Sequence, residues 1–190
     1  MKRTDAKTRV LSAADIDRQL ERCCREILKT RGGAGDIVFI GIRTRGIHIA
    51  RRLSAVAKKL SGRDIPVGEM DITLYRDDLN TLLPEGKVDT TRIPFDIANK
   101  TIILVDDVLN TGRTVRAAVD HLIDFGRPRA IHLAVLIDRG GRELPVAADF
   151  VGKKVAVPPG GEVRVKLKEV DKVDEVVVSK SPAPRRAARA

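Results

Sequence analysis

Apolar positions recur along this chain with two periods, and their alternation gives an order of elements. From Ser12 to Thr30 the apolar residues Ile16, Leu20, Cys23, Cys24, Ile27 and Leu28 share one stripe, the spacing of an amphipathic helix. Ser12 with Asp15 fits a capping pair at its start, and Gly32-Gly33-Ala34-Gly35 ends it. Asp36 to Ile42 is a short apolar run, read as a buried strand. Thr44-Arg45-Gly46 then turns the chain into a second helix over Ile47 to Leu60. A second strand is expected over Ile65 to Tyr75, a long polar loop over Arg76 to Arg92, and a third strand over Thr101 to Asp106. Loops of that length are usually lids or binding loops. A third helix over Arg113 to Phe125 is stopped by Gly126-Arg127-Pro128, and Ala130 to Ile137 is a fourth strand.

Strands alternating with helices predict an α/β fold with a central, mainly parallel sheet flanked by helices. Val151 to Val178 alternates apolar and charged residues and predicts a small β appendage. Residues 180–190 hold Pro182, Pro184 and four cations, and read as a basic, disordered tail after a domain spanning 1–179. No internal repeat is present.

Composition narrows the class. The 190 residues suffice for one domain with a sizeable core, and the aromatic content of 3% without Trp makes that core aliphatic. The formal charge of +10 favours an anionic partner; the tail carries four of those charges, leaving +6 for the rest. Cys23 and Cys24 are adjacent and form neither a disulfide framework nor a metal-ligand spacing, which fits a reduced, cytoplasmic protein. No apolar run reaches membrane-spanning length and no apolar signal segment follows Met1. His48, His121 and His132 lack ligand or triad spacing and read as structural, so no protein-built metal site is expected.

The chemistry concentrates between Ile102 and Thr114. An apolar run ends in Asp106-Asp107, then Val108-Leu109-Asn110 leads to Thr111-Gly112-Arg113-Thr114 and a helix. In a parallel sheet, ligands sit beyond the carboxyl ends of the strands. Gly112 allows a tight turn and close backbone approach. Thr111 and Thr114 add hydroxyls, Arg113 adds charge, and the helix N-terminus supplies amides to a phosphate. Two carboxylates can accept hydrogen bonds from ribose hydroxyls. The set reads as a sugar-phosphate site.

This segment resembles the PRPP-binding motif of type I phosphoribosyltransferases. Three further stretches occur in order: Gly41 to Gly46, Asp71 to Leu79, and Leu136 to Pro145. With them the chain resembles, over about Leu11 to Val178, the family of pyrimidine operon attenuation regulators that are also uracil phosphoribosyltransferases. The resemblance implies conversion of uracil and PRPP to UMP and pyrophosphate, with Mg²⁺ held mainly by PRPP and water. It implies PRPP binding by Thr44, Arg45, Gly46, Arg76, Asp106, Asp107, Val108, Leu109, Asn110, Thr111, Gly112, Arg113 and Thr114. Of these, Arg45, Asp106 and Asp107 would be catalytic. Arg76 and the loop after it would close over PRPP, and Ile137, Asp138 and Arg139 would read the base.

The resemblance also implies UMP-promoted binding to the leader mRNA of pyrimidine genes, and a homodimer or higher assembly. Arg22, Arg25, Arg127, Arg129, Arg139 and Arg142 are the candidate RNA phosphate contacts. Two positions and one stretch of the first helix depart from the pattern. Asn110 stands where the family leads one to expect Tyr, and an amide cannot act as a general base at neutral pH. Gly141 stands where His is expected. Glu21-Arg22-Cys23-Cys24-Arg25 stands where Thr and His would contact RNA. Two alternatives therefore stay open beside the regulator that is also an enzyme: a non-catalytic, nucleotide-sensing RNA binder, and an enzyme without the RNA role.

Overall fold

The computed structural model describes residues 7–30, 36–73, 75 and 90–179. In chain order the elements are β1 (Lys7–Ser12), α1 (Ala13–Ile27), β2 (Ile37–Ile42), α2 (Arg45–Ser61) and β3 (Val67–Met70). They continue with β4 (Thr101–Leu109), α3 (Arg113–Ile123), β5 (Ala130–Asp138), β6 (Phe150–Lys154), β7 (Glu162–Lys166), α4 (Lys168–Asp171) and β8 (Glu175–Ser179). Five strands form a parallel sheet in the order β3-β2-β4-β5-β6, and β1-β8-β7 form a small antiparallel sheet. The α/β reading with a β appendage holds.

Helices cover both faces of the parallel sheet, so its strands are apolar on both sides. Ile103 and Val105 of β4 join Phe39 of β2 and Ile16, Leu20, Cys23, Cys24 and Ile27 of α1 in one core. Their neighbours Ile102 and Leu104 join Val38, Ile40 and the α3 residues Ala118 and Leu122 in the other. The expected capping pair closes α1: the Ser12 amide donates to Asp15 Oδ2 at 2.9 Å and the Asp15 amide to Ser12 Oγ at 3.3 Å. This fixes the stripe of α1 toward the sheet.

Several boundaries differ from the sequence reading. β1 was not foreseen; it has no long apolar run of its own and is held by β8, with Leu11 opposite Val176. β3 stops at Met70 instead of reaching Tyr75, because the Asp71 carboxylate accepts from the Thr73 amide (3.1 Å) and hydroxyl (2.6 Å) and turns the chain. β4 continues past Asp106 to Leu109, since β5 stays paired with it through Leu109 and Asp138. The 151–178 region divides: β6 is an edge strand of the parallel sheet, and only β7 and β8 belong to the appendage. Arg76, the segment Gly32–Gly35 and the basic tail lie outside the described residues. Among the described residues, no helix is long and apolar enough to cross a membrane.

Candidate active site at the carboxyl edge of the sheet

Strand order reverses between β2 and β4: β3 lies on one side of β2, while β5 and β6 lie beyond β4. The connections leaving β2 and β4 therefore part at one crevice, the usual ligand position in an open α/β sheet. After β2 comes Arg43-Thr44-Arg45-Gly46, with a cis peptide between Arg43 and Thr44. After β4 comes Asn110 to Gly112, and after β5 the segment Arg139 to Val146.

Gly46 explains why the first two connections lie so close. A Cβ on it would collide with Val105 O and sit 3.2 Å from Asp106 Cα. The first turn of α2 is thus pressed onto β4 immediately before the two carboxylates. α2 begins at Arg45, two residues earlier than its apolar pattern suggests, so Arg45 and Gly46 belong to the helix itself.

Asp106 is buried and its Oδ1 accepts from the Asp107 amide at 2.9 Å. Asp107 is partly buried. Burial pushes its carboxyl above the ordinary carboxylate value, opposed by the Arg45 charge, by backbone amides and by Asp106. Gly112 is the N-cap of α3 at φ 95°, a left-handed conformation that favours glycine. A Cβ there would also press on Val146 and Leu144 at 3.3 and 3.4 Å. The Arg113 amide reaches Thr111 Oγ1 at 3.4 Å. Thr111, Arg113 and Thr114 are partly exposed around the first turn of α3, where backbone amides lack intrahelical acceptors. Val108 is partly exposed, whereas Leu109 is buried in the α3-side core.

Two cations expected at the ligand are directed elsewhere. Arg45 forms a bidentate pair with Asp171 of α4, with Nε to Oδ2 at 3.1 Å and Nη2 to Oδ1 at 2.9 Å. Arg113 Nε binds Glu143 Oε2 at 2.8 Å. Thr44 is exposed and makes no side-chain cap to α2. Asp171 lies 126 residues from Arg45, and nothing in the spacing of acids along the chain points to it.

The segment after β5 is tied to the loop after β4. The Arg139 amide donates to Leu109 O at 3.1 Å, and the Glu143 and Leu144 amides donate to Thr111 O at 3.0 and 3.1 Å. Ile137 is buried. Asp138 is partly buried; burial alone would raise its carboxyl, but the Gly140 amide and the Arg142 guanidinium hold it below the ordinary value. Asp71, at the end of β3, is likewise held low despite burial by Thr73, Thr90 and Arg43. His121 is buried, stacks on Tyr75 with ring centroids 3.9 Å apart, and meets Thr91 Oγ1 at 3.2 Å. Tyr75 and Thr91, on either side of residues 76–89, are therefore both held against His121 of α3.

Most of the arginines singled out for RNA have internal partners. Arg22 Nη2 donates to Val151 O (2.6 Å) and Gly152 O (2.9 Å), Arg25 pairs with Glu21 at 2.6 Å, and Arg129 contacts Asp36 and Thr101 at 3.1 and 2.8 Å. Arg139 donates to Gly161 O at 3.0 Å, Arg142 to four carbonyls and Asp138, and Arg127 is exposed.

A crevice with paired carboxylates on one strand and a glycine-capped helix start beside them suits a phosphorylated ribose. Residues 8–169 match the phosphoribosyl transferase domain. The chain is 53% identical to the bifunctional protein PyrR of Chloroflexus aurantiacus over 92% of its length and 96% of that protein. It is 50% identical to the PyrR of Pelotomaculum thermopropionicum over 90% of its length and 95% of that protein. This chain belongs to the PyrR family. It carries that family's phosphoribosyl transferase domain almost end to end. Solved structures share the fold: a hypoxanthine phosphoribosyltransferase of Staphylococcus aureus gives a TM-score of 0.68 at 20% identity, covering 93% of this chain and 94% of that one. One from Trypanosoma cruzi gives 0.71 at 16% identity, covering 95% and 94%.

Proposed function

We propose that this protein makes UMP and pyrophosphate from uracil and PRPP in the cytoplasm, and regulates pyrimidine genes by UMP-dependent binding to their leader mRNA. One observation supports the transferase reading above others: the base segment after β5 is hydrogen-bonded directly onto the Asp106–Thr114 loop, so a base and a phosphoribosyl group would be held by one unit. Asp106 and Asp107 would accept the ribose hydroxyls. The amides of the α3 start, with Thr111 and Thr114, would hold the 5′-phosphate. Thr44 and Gly46 would face the pyrophosphate, joined by Arg45 once its pair with Asp171 opens, and charge separating at the anomeric carbon would be met by that cation on one side and the carboxylates on the other. Arg76 would close over PRPP.

Among the described residues, no group of three or more His, Cys, Asp or Glu side chains could hold a metal. Two neighbouring carboxylates and an anionic substrate fit an Mg²⁺ carried mainly by PRPP and water, which would neutralise pyrophosphate charge. Incubation of the full chain with uracil, PRPP and Mg²⁺ should yield UMP. No UMP above background at saturating PRPP rejects the enzyme.

For the regulatory role, the net charge and the family support RNA binding by Arg127 and by those of Arg22, Arg25, Arg129, Arg139 and Arg142 whose contacts yield to phosphate. The expected result is salt-sensitive binding to a pyrimidine-gene leader that tightens with UMP. Equal affinity for an unrelated hairpin, indifferent to UMP, rejects it. The internal pairing of five of these arginines favours a second reading, an enzyme without the RNA role. Asn110 favours a third, a nucleotide sensor without turnover. A homodimer or larger assembly and a separate 180–190 tail complete the proposal.

A further inference from the structure

Arg142 stands where the segment after β5 crosses the loop after β4. A guanidinium has five N–H donors in a rigid fork, and here the fork grips both segments. Nη1 donates to Asn110 O at 2.8 Å, with longer approaches to Gly140 O at 3.2 Å and Leu109 O at 3.4 Å. Nη2 donates to Asp138 Oδ1 at 2.7 Å, and Nε to Val146 O at 3.0 Å. The Arg142 and Asp138 side chains are only 24% and 15% exposed, so this pair is shielded from the solvent that weakens surface ion pairs.

Asp138 Oδ1 takes a second hydrogen bond from the Gly140 amide at 3.0 Å, which sets the turn that follows β5. That turn contains Gly140 and Gly141, both at positive φ (69° and 74°). Two glycines in succession leave it little stiffness of its own. The backbone bonds to Leu109 and Thr111 fix its ends, at Arg139 and at Glu143. The middle is held to the phosphate loop by the Arg142 guanidinium.

We propose that Arg142 is a positioning residue for the base: it locks the Asp138–Gly141 turn at a fixed distance from the phosphoribosyl loop. The proposal rests on the transferase reading for the identity of the base. The mechanism is geometric. Bond formation between base and anomeric carbon requires both partners to be held in register, and a displacement of about 1 Å is enough to lose much of the rate. Lysine retains the charge but not the fork, so it can keep Asp138 or the carbonyls, not both sets at once.

The test compares the full chain with its Arg142→Lys variant by steady-state kinetics and by calorimetric titration of Mg²⁺–PRPP and of UMP. Arg142→Lys should raise the KM for uracil on the order of tenfold, the size of one lost charge-assisted hydrogen bond. The affinity for Mg²⁺–PRPP should stay within about threefold. Asp138→Asn should raise the uracil KM similarly, and the double variant should be less than additive because both act through one contact. An unchanged uracil KM in Arg142→Lys overturns the proposal, as does strict additivity with Asp138→Asn. If the unaltered protein forms no UMP, the transferase reading fails on its own. The proposal is then decided by UMP affinity, which should fall on the order of tenfold in Arg142→Lys and overturns it if unchanged.

Discussion

Asn110 and Gly141 face each other: a Cβ on Gly141 would sit 2.9 Å from Asn110 Oδ1. The family resemblance leads one to expect Tyr and His at these two positions, and 31 positions of sequence hide the fact that they meet. A larger side chain at 141 would have to displace Asn110 while holding φ at 74°.

Gly141→Ala should cost about 1–2 kcal/mol, the penalty of a left-handed conformation for a residue with a Cβ. Asn110→Ala should remove the contact but leave the dihedral strain, so urea unfolding of the single and double variants should show a coupling of about 0.5 kcal/mol or more. Gly141→Ala with unaltered stability would mean that the turn does not keep its positive φ.

Asp107→Asn should make the protein more stable at neutral pH and a poorer enzyme. Because burial raises the carboxyl of Asp107, its ionised form opposes folding. That opposition is absent below the ordinary value of 3.8 and grows as pH rises toward the folded value. The neutral amide removes it, so Tm at pH 7 should rise. UMP formation should fall by roughly ten- to a hundredfold, from the loss of one charge-assisted acceptor. A lower Tm together with undiminished turnover would contradict both halves.

Gly46→Ala tests the closeness of α2 and β4. Its Cβ meets the backbone oxygen of Val105, which cannot rotate away, so a destabilisation of about 1–3 kcal/mol is expected. Calorimetric binding of Mg²⁺–PRPP should weaken with it, since the same shift moves Thr44 and Arg45 from the carboxylates. Retained stability and affinity would show that α2 can move aside freely.

The Arg45–Asp171 pair has a defined acid limit. Hydrogen bonds from Arg45 hold the Asp171 carboxyl below its ordinary value of 3.8. A depressed carboxyl adds stability that is present above 3.8 and is lost as pH falls through the folded value. Asp171→Asn should therefore flatten the acid limb of a pH–Tm curve while changing its course little from one neutral pH to another. An acid limb identical to that of the unaltered protein would show that the pair does not persist in solution.

Cys23 and Cys24 should be inert in the folded protein. Both are buried in the stripe of α1, and burial pushes each thiol up to about 11. The thiolate is the reactive form, so a disulfide-exchange reagent at neutral pH should label neither in the native protein and both after unfolding. Rapid native labelling would mean that α1 detaches readily from the sheet.

Local information in the sequence was enough for the elements whose causes are local. The capping pair Ser12 and Asp15, the helical stripe of α1, the doubly buried strands and the glycine-started turn into α3 all follow from neighbours a few positions apart. So do the fold class and the place of Asp106, Asp107 and Gly112 at the carboxyl edge of the sheet, because parallel strands put all such ends on one side. What only the tertiary structure decided are the partners that come from elsewhere in the chain. β1 exists because β8 pairs with it; Arg45 turns to Asp171, Arg113 to Glu143, and Arg22 to the carbonyls of β6. A long cation reads as free in sequence, yet its partner is set by which carbonyl or carboxylate the fold brings within hydrogen-bond reach. For the same reason, Arg142 looks like a surface charge in sequence and is a clamp in the structure.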